Sequence, residues 1–346
     1  MNFALNDDQS QLQKVARAYL ESKSPPAVVR DLEDGALGYS PEMWAEMAEM
    51  GWAGLALPGG GGDVTDLAVI FGELGRAVCP TPIFSTVVLA GMTLAEAGQL
   101  PAGVAEGITL IGTAVADVPP DALVAEISDS GAKVSGTVPF AYDIQGAGAI
   151  LVVAGPSVVL VDPSQGGVRW TRLEAMSNDR LFELHLEGAH GELVGKSGRL
   201  IGPALARATA LRTCELVGVM ERAVEMAAEH ARARVQFGQP LGAFQAVQHR
   251  LADMLIDLEG ARLVAYRAAW ALTLDPLAEH EVAVAKAWVS DACQRVAFGA
   301  QQIHGGIGVD LDYDLQLYFR RAKALELELG SAPQHRAKLA SNIGLC

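Results

Sequence analysis

The sequence predicts an α+β multidomain protein: an N-terminal helical domain over residues 1–102, a middle antiparallel β domain over 103–197 and a C-terminal helical bundle over 198–346. Three observations lead there. Both ends of the chain carry apolar residues at helical spacing. The middle is cut into short β-rich runs by Gly, Pro, Asp and Ser. The chain has 346 residues, half of them hydrophobic, which is enough for a large core and more than one domain.

In chain order, "NDDQSQLQKVARAYLESK" opens on Asn6 as an N-cap with acids in the first turn, which suits the positive end of a helix. "SPEMWAEMAEMGW" is a second capped helix and "DVTDLAVIFGELGRAV" a third. "LPGGGGD" at 57–63 separates them; without a preceding strand or a following Gly-Lys-Ser/Thr it reads as an inter-helix turn and not as a phosphate loop. Five runs then have strand character: "AKVSGTVPFAYD", "AILVVAG", "SVVLVDP", "VRWTRLE" and "LFELHLEG". Such spacing suggests a sandwich or barrel. Beyond residue 198, Val247, Leu251, Met254, Leu255 and Leu258 follow helical spacing. "LAEHEVAVAKAWVSDACQRVAFGAQQIHG" is another long helix, ended by Gly305-Gly306, and helices of this length suggest a bundle.

Net charge is −15 and the isoelectric point about 4.9, which argues against nucleic acid as a partner. A phosphate-bearing ligand therefore needs a local basic or backbone-amide site. The longest apolar run is broken by Gly155-Pro156 and is too short to span a membrane. Cys79, Cys214, Cys293 and Cys346 lack metal-like spacing and read as reduced, buried thiols. With no leader-like pattern at the N-terminus, the expected location is cytoplasmic.

Two stretches carry chemistry. In "RARVQFGQPLGAFQAVQ", Arg234, Phe237 and Gln245 put a fixed cation, an aromatic plate and an amide in one short hairpin between long helices, a set that suits a pyrophosphate and a nucleotide. A helix end capped by Arg234 with Phe237 buried is an equally good reading of the same residues. In "QQIHGGIGVDLDYDLQLYFRRAK", Gly305, Gly306 and Gly308 allow close approach to backbone amides. A helix precedes them, so this is not a Rossmann fingerprint, and a tight interhelical turn is the plain alternative. His304 reads as a packed or surface histidine.

In this order and at this separation, the two stretches closely resemble the acyl-CoA dehydrogenase family. "GELGR" at 72–76, the "FG-P-L--FQ--Q--LADM" run at 237–254 and the α–β–α plan extend the resemblance over the chain. It implies FAD as cofactor, an acyl-CoA thioester oxidised at its α,β-carbons and an electron-transfer flavoprotein as acceptor. It implies that Arg234, Phe237 and Gln245 contact the diphosphate and adenine side of a neighbouring subunit's flavin. Gln302, Gly305 and Gly306 match the glycine-turn positions at the same adenosine end.

The pattern also breaks. The family's chemistry needs a carboxylate to take the α-proton, in an apolar pocket that tunes it. Aligned on "RRAK" and on Gly330-Ser331, that position holds Leu329, with Glu328 one residue earlier and Glu326 turned elsewhere. A second base position known in the family falls on Ala208. In the middle domain the Thr-Glu-Pro and Trp-Ile-Thr signatures are absent; Phe140 and Tyr142 stand in for the second, and Phe140 reads as a strand core residue. This split resembles the shorter subunit of the heterotetrameric dehydrogenases of actinobacterial steroid degradation, which pairs with a fuller chain. Three readings remain open. One is a catalytically incomplete subunit lending adenosine-side contacts to a partner's site, with a steroid side-chain CoA as substrate. The second is a self-sufficient homomeric dehydrogenase with Glu328 as a displaced base. The third is a docking protein of the same fold with no redox role.

Overall fold

The structure is a computed structural model that describes residues 4–119, 121–128, 131–342 and 344–345. Two compact units emerge, neither contiguous in sequence: Met1–Arg30, Ala68–Cys79 and Thr209–Cys346 form one, Asp31–Leu67 and Pro80–Ala208 the other.

The first unit is helical. It contains α1 (Asp7–Lys23), most of α4 (Val64–Ala77), most of α6 (Ser197–Ala233), α7 (Gln245–Ala271), α8 (Glu279–His304), α9 (Leu315–Leu327) and α10 (Ala332–Asn342); α2 (Pro26–Glu33) begins in it. Asn6 caps α1 as the sequence suggests. Its side chain accepts from the Gln9 amide at 2.7 Å and the Gln9 side chain answers the Asn6 amide at 3.3 Å, satisfying two end donors. Helix α4 crosses α6 through glycines. A Cβ on Gly218 would lie 1.8 Å from the Gly72 carbonyl oxygen, and one on Gly75 would lie 2.0 Å from that of Glu215. The "GELGR" glycines are therefore contact points where two backbones touch. On α7, Met254 and Leu258 are buried, whereas Leu255 and Ile256 are 50% and 69% exposed, so the apolar stripe of this helix is wider than the face it buries. Inside the bundle, Lys286 on α8 is fully buried and donates Nζ to the Leu325 carbonyl at 2.5 Å, capping the last turn of α9.

The second unit carries α3 (Pro41–Glu49), capped by Ser40, then a π-helical segment Phe84–Gly91, α5 (Met92–Glu96) and the strands. These are β1 (Ile111–Ala114), β2 (Leu123–Ser128), β3 (Gly131–Tyr142), β4 (Ala149–Ala154), β5 (Ser157–Val161), β6 (Val168–Arg172) and β7 (Leu181–Lys196). Their order is β2-β3-β1-β4-β5-β7-β6, and an added β3–β7 pairing closes β3, β1, β4, β5 and β7 into a ring. The domain is thus barrel-like, as expected, but not wholly antiparallel: β1 inserts between β3 and β4 and runs parallel to β4. No run in the sequence announces β1, because its four residues sit in a loop-like stretch. Val134, Val138, Ile150, Val152, Phe182 and Leu184 fill the interior.

Phe140 corrects an expectation. It is 45% exposed and not a core residue. The register of β3 against β7 shifts between Val138 and Ala141, which breaks the alternation and leaves Phe140 outside while Ala141 and Tyr142 turn in. Tyr142 packs edge-on against Phe84 at 5.6 Å.

Cys79, Cys214 and Cys293 are buried thiols outside any disulfide, and burial pushes each up to about 12; Cys346 lies outside the described residues. No helix among the described residues is long and apolar enough to cross a membrane. Replacing Gly218 by Ala should cost about 3 kcal/mol or more, since the new methyl meets backbone and not a movable side chain. Chemical denaturation of Gly218→Ala checks this; a change near zero would mean that the helices do not cross so closely.

Candidate functional site

Helix α6 runs straight into the Arg234 segment. The Arg234 amide donates to the His230 carbonyl at 2.8 Å, and the Leu241 amide returns to the Arg234 carbonyl at 2.8 Å. Between them β8 (Val235–Gln236) and β9 (Gln239–Pro240) pair as a two-residue hairpin. Its central residues, Phe237 and Gly238, have φ of +53° and +82°, the primed-turn geometry that matches strand twist. Glycine adopts this freely. A phenylalanine there is strained by about 1–3 kcal/mol. Its ring is 93% exposed, touching Phe244 edge-on at 6.2 Å. The buried-Phe237 alternative is thereby removed. Arg234 is exposed and its guanidinium has no ion pair among the described residues. Gln245 is exposed on the first turn of α7.

The glycine stretch begins where α8 stops. Gly305 takes φ +66° and leads into a 3-10 turn over Gly305–Val309. A Cβ on Gly305 or Gly306 would meet nothing within 4 Å, so their backbone faces open space. Gly308 differs: a Cβ there would lie 2.6 Å from the Gln301 side-chain amide nitrogen, so its backbone packs closely against that side chain. Gln302 is exposed one turn before the glycines. Arg30 secures the chain that follows, donating to the Leu311 and Asp312 carbonyls at 3.2 and 3.1 Å and to Asp314 at 2.6 Å.

His304 is buried, and it joins these two stretches. Its ring lies 4.4 Å from that of His230 and 5.4 Å from that of Tyr313. Burial holds both imidazoles below the usual histidine range; His304 and Arg234 push His230 further down, whereas the bond to the Ala300 carbonyl partly offsets burial at His304. The sequence shows no pattern that pairs these two histidines, since they are 74 positions apart (304 minus 230) and end different helices.

The segment expected to carry the base is held by charge pairs. Beyond α9, Glu328 is extended and Leu329 takes φ +60°. Leu329 is buried and its carbonyl accepts from His335 Nε2 at 2.9 Å. Glu328 Oε2 lies 3.0 Å from Arg212 Nε. Arg212 Nη1 also donates to Glu215 Oε2 at 2.6 Å, and Glu215 Oε1 accepts from Arg321 Nε at 2.9 Å. Two arginines and two glutamates thus form one buried cluster linking α6, α9 and the Glu328 segment. Glu326, the other glutamate of the stretch, pairs with Lys323 at 2.6 Å. Ala208 is fully buried and offers no titratable group. Sequence reasoning missed Arg212 and Glu215; the signal available was an opposite-charge pair three residues apart inside an otherwise apolar helix.

The helical bundle and the small barrel, with an exposed Arg–Phe hairpin and a glycine turn, have counterparts among known proteins. The domain family described as acyl-CoA dehydrogenase, N-terminal domain, matches residues 6–100; the family described as acyl-CoA dehydrogenase, C-terminal domain, matches 199–344. The acyl-CoA dehydrogenase FadE27 of Mycobacterium tuberculosis is 32% identical over 364 aligned positions, covering 96% of each chain. Among solved structures, the ChsE4–ChsE5 complex from Mycobacterium tuberculosis superimposes with a TM-score of 0.92 at 30% identity over the full length of both chains. The Tcur3481–Tcur3483 steroid ACAD gives 0.89 at 31% identity, covering 97% of this chain and 98% of that one. The chain belongs to the acyl-CoA dehydrogenase family, whose members are FAD-dependent flavoproteins.

Glu215 is the shared partner of two buried arginines, so Glu215→Ala should destabilise the fold by about 3–5 kcal/mol. A denaturation midpoint unchanged from the parent would show that the arginines find other acceptors.

Proposed function

We propose that this chain is a subunit of a heteromeric FAD-dependent acyl-CoA dehydrogenase that introduces a 2,3-double bond into a steroid side-chain CoA thioester. In this reading the chain lends adenosine-side flavin contacts to a fuller partner chain and is not catalytically complete alone. The observation that carries it is a contrast within one helical unit. The hairpin holds a strained aromatic and an unpaired guanidinium out to solvent, while the base segment offers a buried leucine and a glutamate already engaged by Arg212.

The residues present fit the adenosine end of FAD. Arg234 suits the diphosphate, Phe237 and Gln245 the adenine side, and Gln302 with the open backbone of Gly305 and Gly306 the same end. Bound there, FAD would supply the acceptor for a hydride leaving the β-carbon of the thioester. The protein must supply the carboxylate that removes the α-proton, with an oxygen free to accept it. Leu329 has none, and both oxygens of Glu328 face the Arg212 guanidinium. In a heteromer the base and the flavin-ring contacts come from the partner. Two solved relatives named above support the pairing and the substrate class: one is a complex of two different chains, the other is described as a steroid ACAD. An electron-transfer flavoprotein is the proposed acceptor.

The test is a visible spectrum with light-scattering mass, on the chain alone and after co-expression with a candidate partner dehydrogenase chain. The expected outcome is a colourless chain alone and a yellow complex with fewer flavins than subunits. Stoichiometric flavin in a homo-oligomer that turns over an acyl-CoA, and loses turnover on Glu328→Gln, would establish the self-sufficient reading instead. In the complex, Arg234→Ala should lower flavin content at least about tenfold at limiting FAD, the effect of losing one charge-assisted contact worth about 1.5–3 kcal/mol. Flavin content unchanged by Arg234→Ala would favour a docking role without redox chemistry.

A further inference from the structure

The hairpin and the glycine turn belong to different helices, yet a flavin's adenosine end needs both at once. The hairpin leaves the end of α6 four residues after His230, whose carbonyl holds the Arg234 amide. The glycine turn starts at the residue after His304. Between the two helix ends, the imidazoles stack at 4.4 Å with ring planes 31° apart, and Tyr313, from the chain beyond the turn, lies against His304 at 5.4 Å. His304 is further fixed by a 2.8 Å hydrogen bond from Nδ1 to the Ala300 carbonyl. That bond requires the proton on Nδ1 and leaves Nε2 as a bare acceptor. Nε2 is buried and has no hydrogen-bond partner among the described residues.

We propose that His304 is a positioning residue: packed against both His230 and Tyr313, it locks the glycine turn to the Arg234–Phe237 hairpin, and it does so only while it is neutral. The inference rests on reading those two segments as flavin contacts. The charge inventory explains the condition. A second proton on His304 would go to Nε2, where no acceptor waits, beside another imidazole and the cationic end of α6 at Arg234. The acids that act on Tyr313 are already paired: Glu229 with Arg222 and Asp314 with Arg30. Relief therefore comes from separating the rings, which frees both flavin-contact segments together. The sign follows from burial. The stacked imidazoles hold their protons less tightly than an ordinary histidine, so the opened form binds more protons. The stack is secure above the ordinary histidine value of about 6.5 and weakens as pH falls below it, by up to about tenfold in the opening equilibrium per pH unit for each histidine.

The test uses the full chain without flavin, so its outcome does not depend on the flavin reading. Amide hydrogen exchange, corrected for its intrinsic pH dependence, is measured over 234–245 and 305–313 at about pH 7.5 and about pH 5.5, in the parent and in His304→Phe, His304→Ala and His230→Phe. The parent should exchange about tenfold faster in both segments at the lower pH, the two segments moving together. His304→Phe keeps an aromatic stack that cannot be protonated and should remain protected at both values. His304→Ala should be open at both, and His230→Phe should show a weakened pH response. Equal pH dependence in the parent and His304→Phe, or full protection in a folded His304→Ala, would overturn the proposal. Should the exchange behave as expected while Arg234→Ala leaves the flavin of the complex untouched, the coupling would stand and the flavin assignment would fall.

Discussion

The helical unit is organised around the charges on α6. Arg212 and Glu215 face Arg321 and Glu328 within the protein, and one and a half turns further along Glu221 accepts from Arg17, Arg76 and Arg262. Buried charges are costly unless fully paired, so each of these groups fixes the position of its partners. The consequence reaches the site. Glu328 is drawn to Arg212 and Lys286 caps the Leu325 turn, so the chain at 325–329 has little freedom, and Leu329 is held in a left-handed conformation that a leucine does not choose. An acidic residue next to a left-handed, buried leucine is shaped by this cluster before it can serve any substrate.

The same helix explains why the nucleotide-contact candidates are presented well although they lie on loops. Its middle cannot shift, because Gly218 and Gly75 let it touch the backbone of α4. Its C-terminal end carries His230 and passes directly into the hairpin. The strain at Phe237 is thus supported by a rigid element, and the exposed ring is already in place. The strained, exposed aromatic at 237 and the buried leucine at 329 are the two features on which the proposed division of labour between subunits rests.

Much of this was legible in the sequence. The capped N-terminal helix from Asn6, the five strand runs of the middle segment and the long helices behind 245 and 279 follow from local spacing and end signals, which depend only on near neighbours. The glycine turn and the hairpin were recognisable for the same reason. The parallel strand β1 was not, because four residues carry too little pattern. Nor was the exposure of Phe140, which a bulge reverses, or the exposed Leu255, whose spacing matches the buried residues beside it.

What the sequence determined by itself was the α–β–α plan and the order of the candidate stretches: Arg234, Phe237 and Gln245, then Gln302, Gly305 and Gly306, then Glu328 and Leu329. Only the tertiary structure decided which of the remaining polar groups are occupied. Arg212 and Glu328 are 116 residues apart, and His230 and His304 are 74 apart. A charge pair or a ring stack is set by distance and burial in space, and no local periodicity in the chain encodes either one.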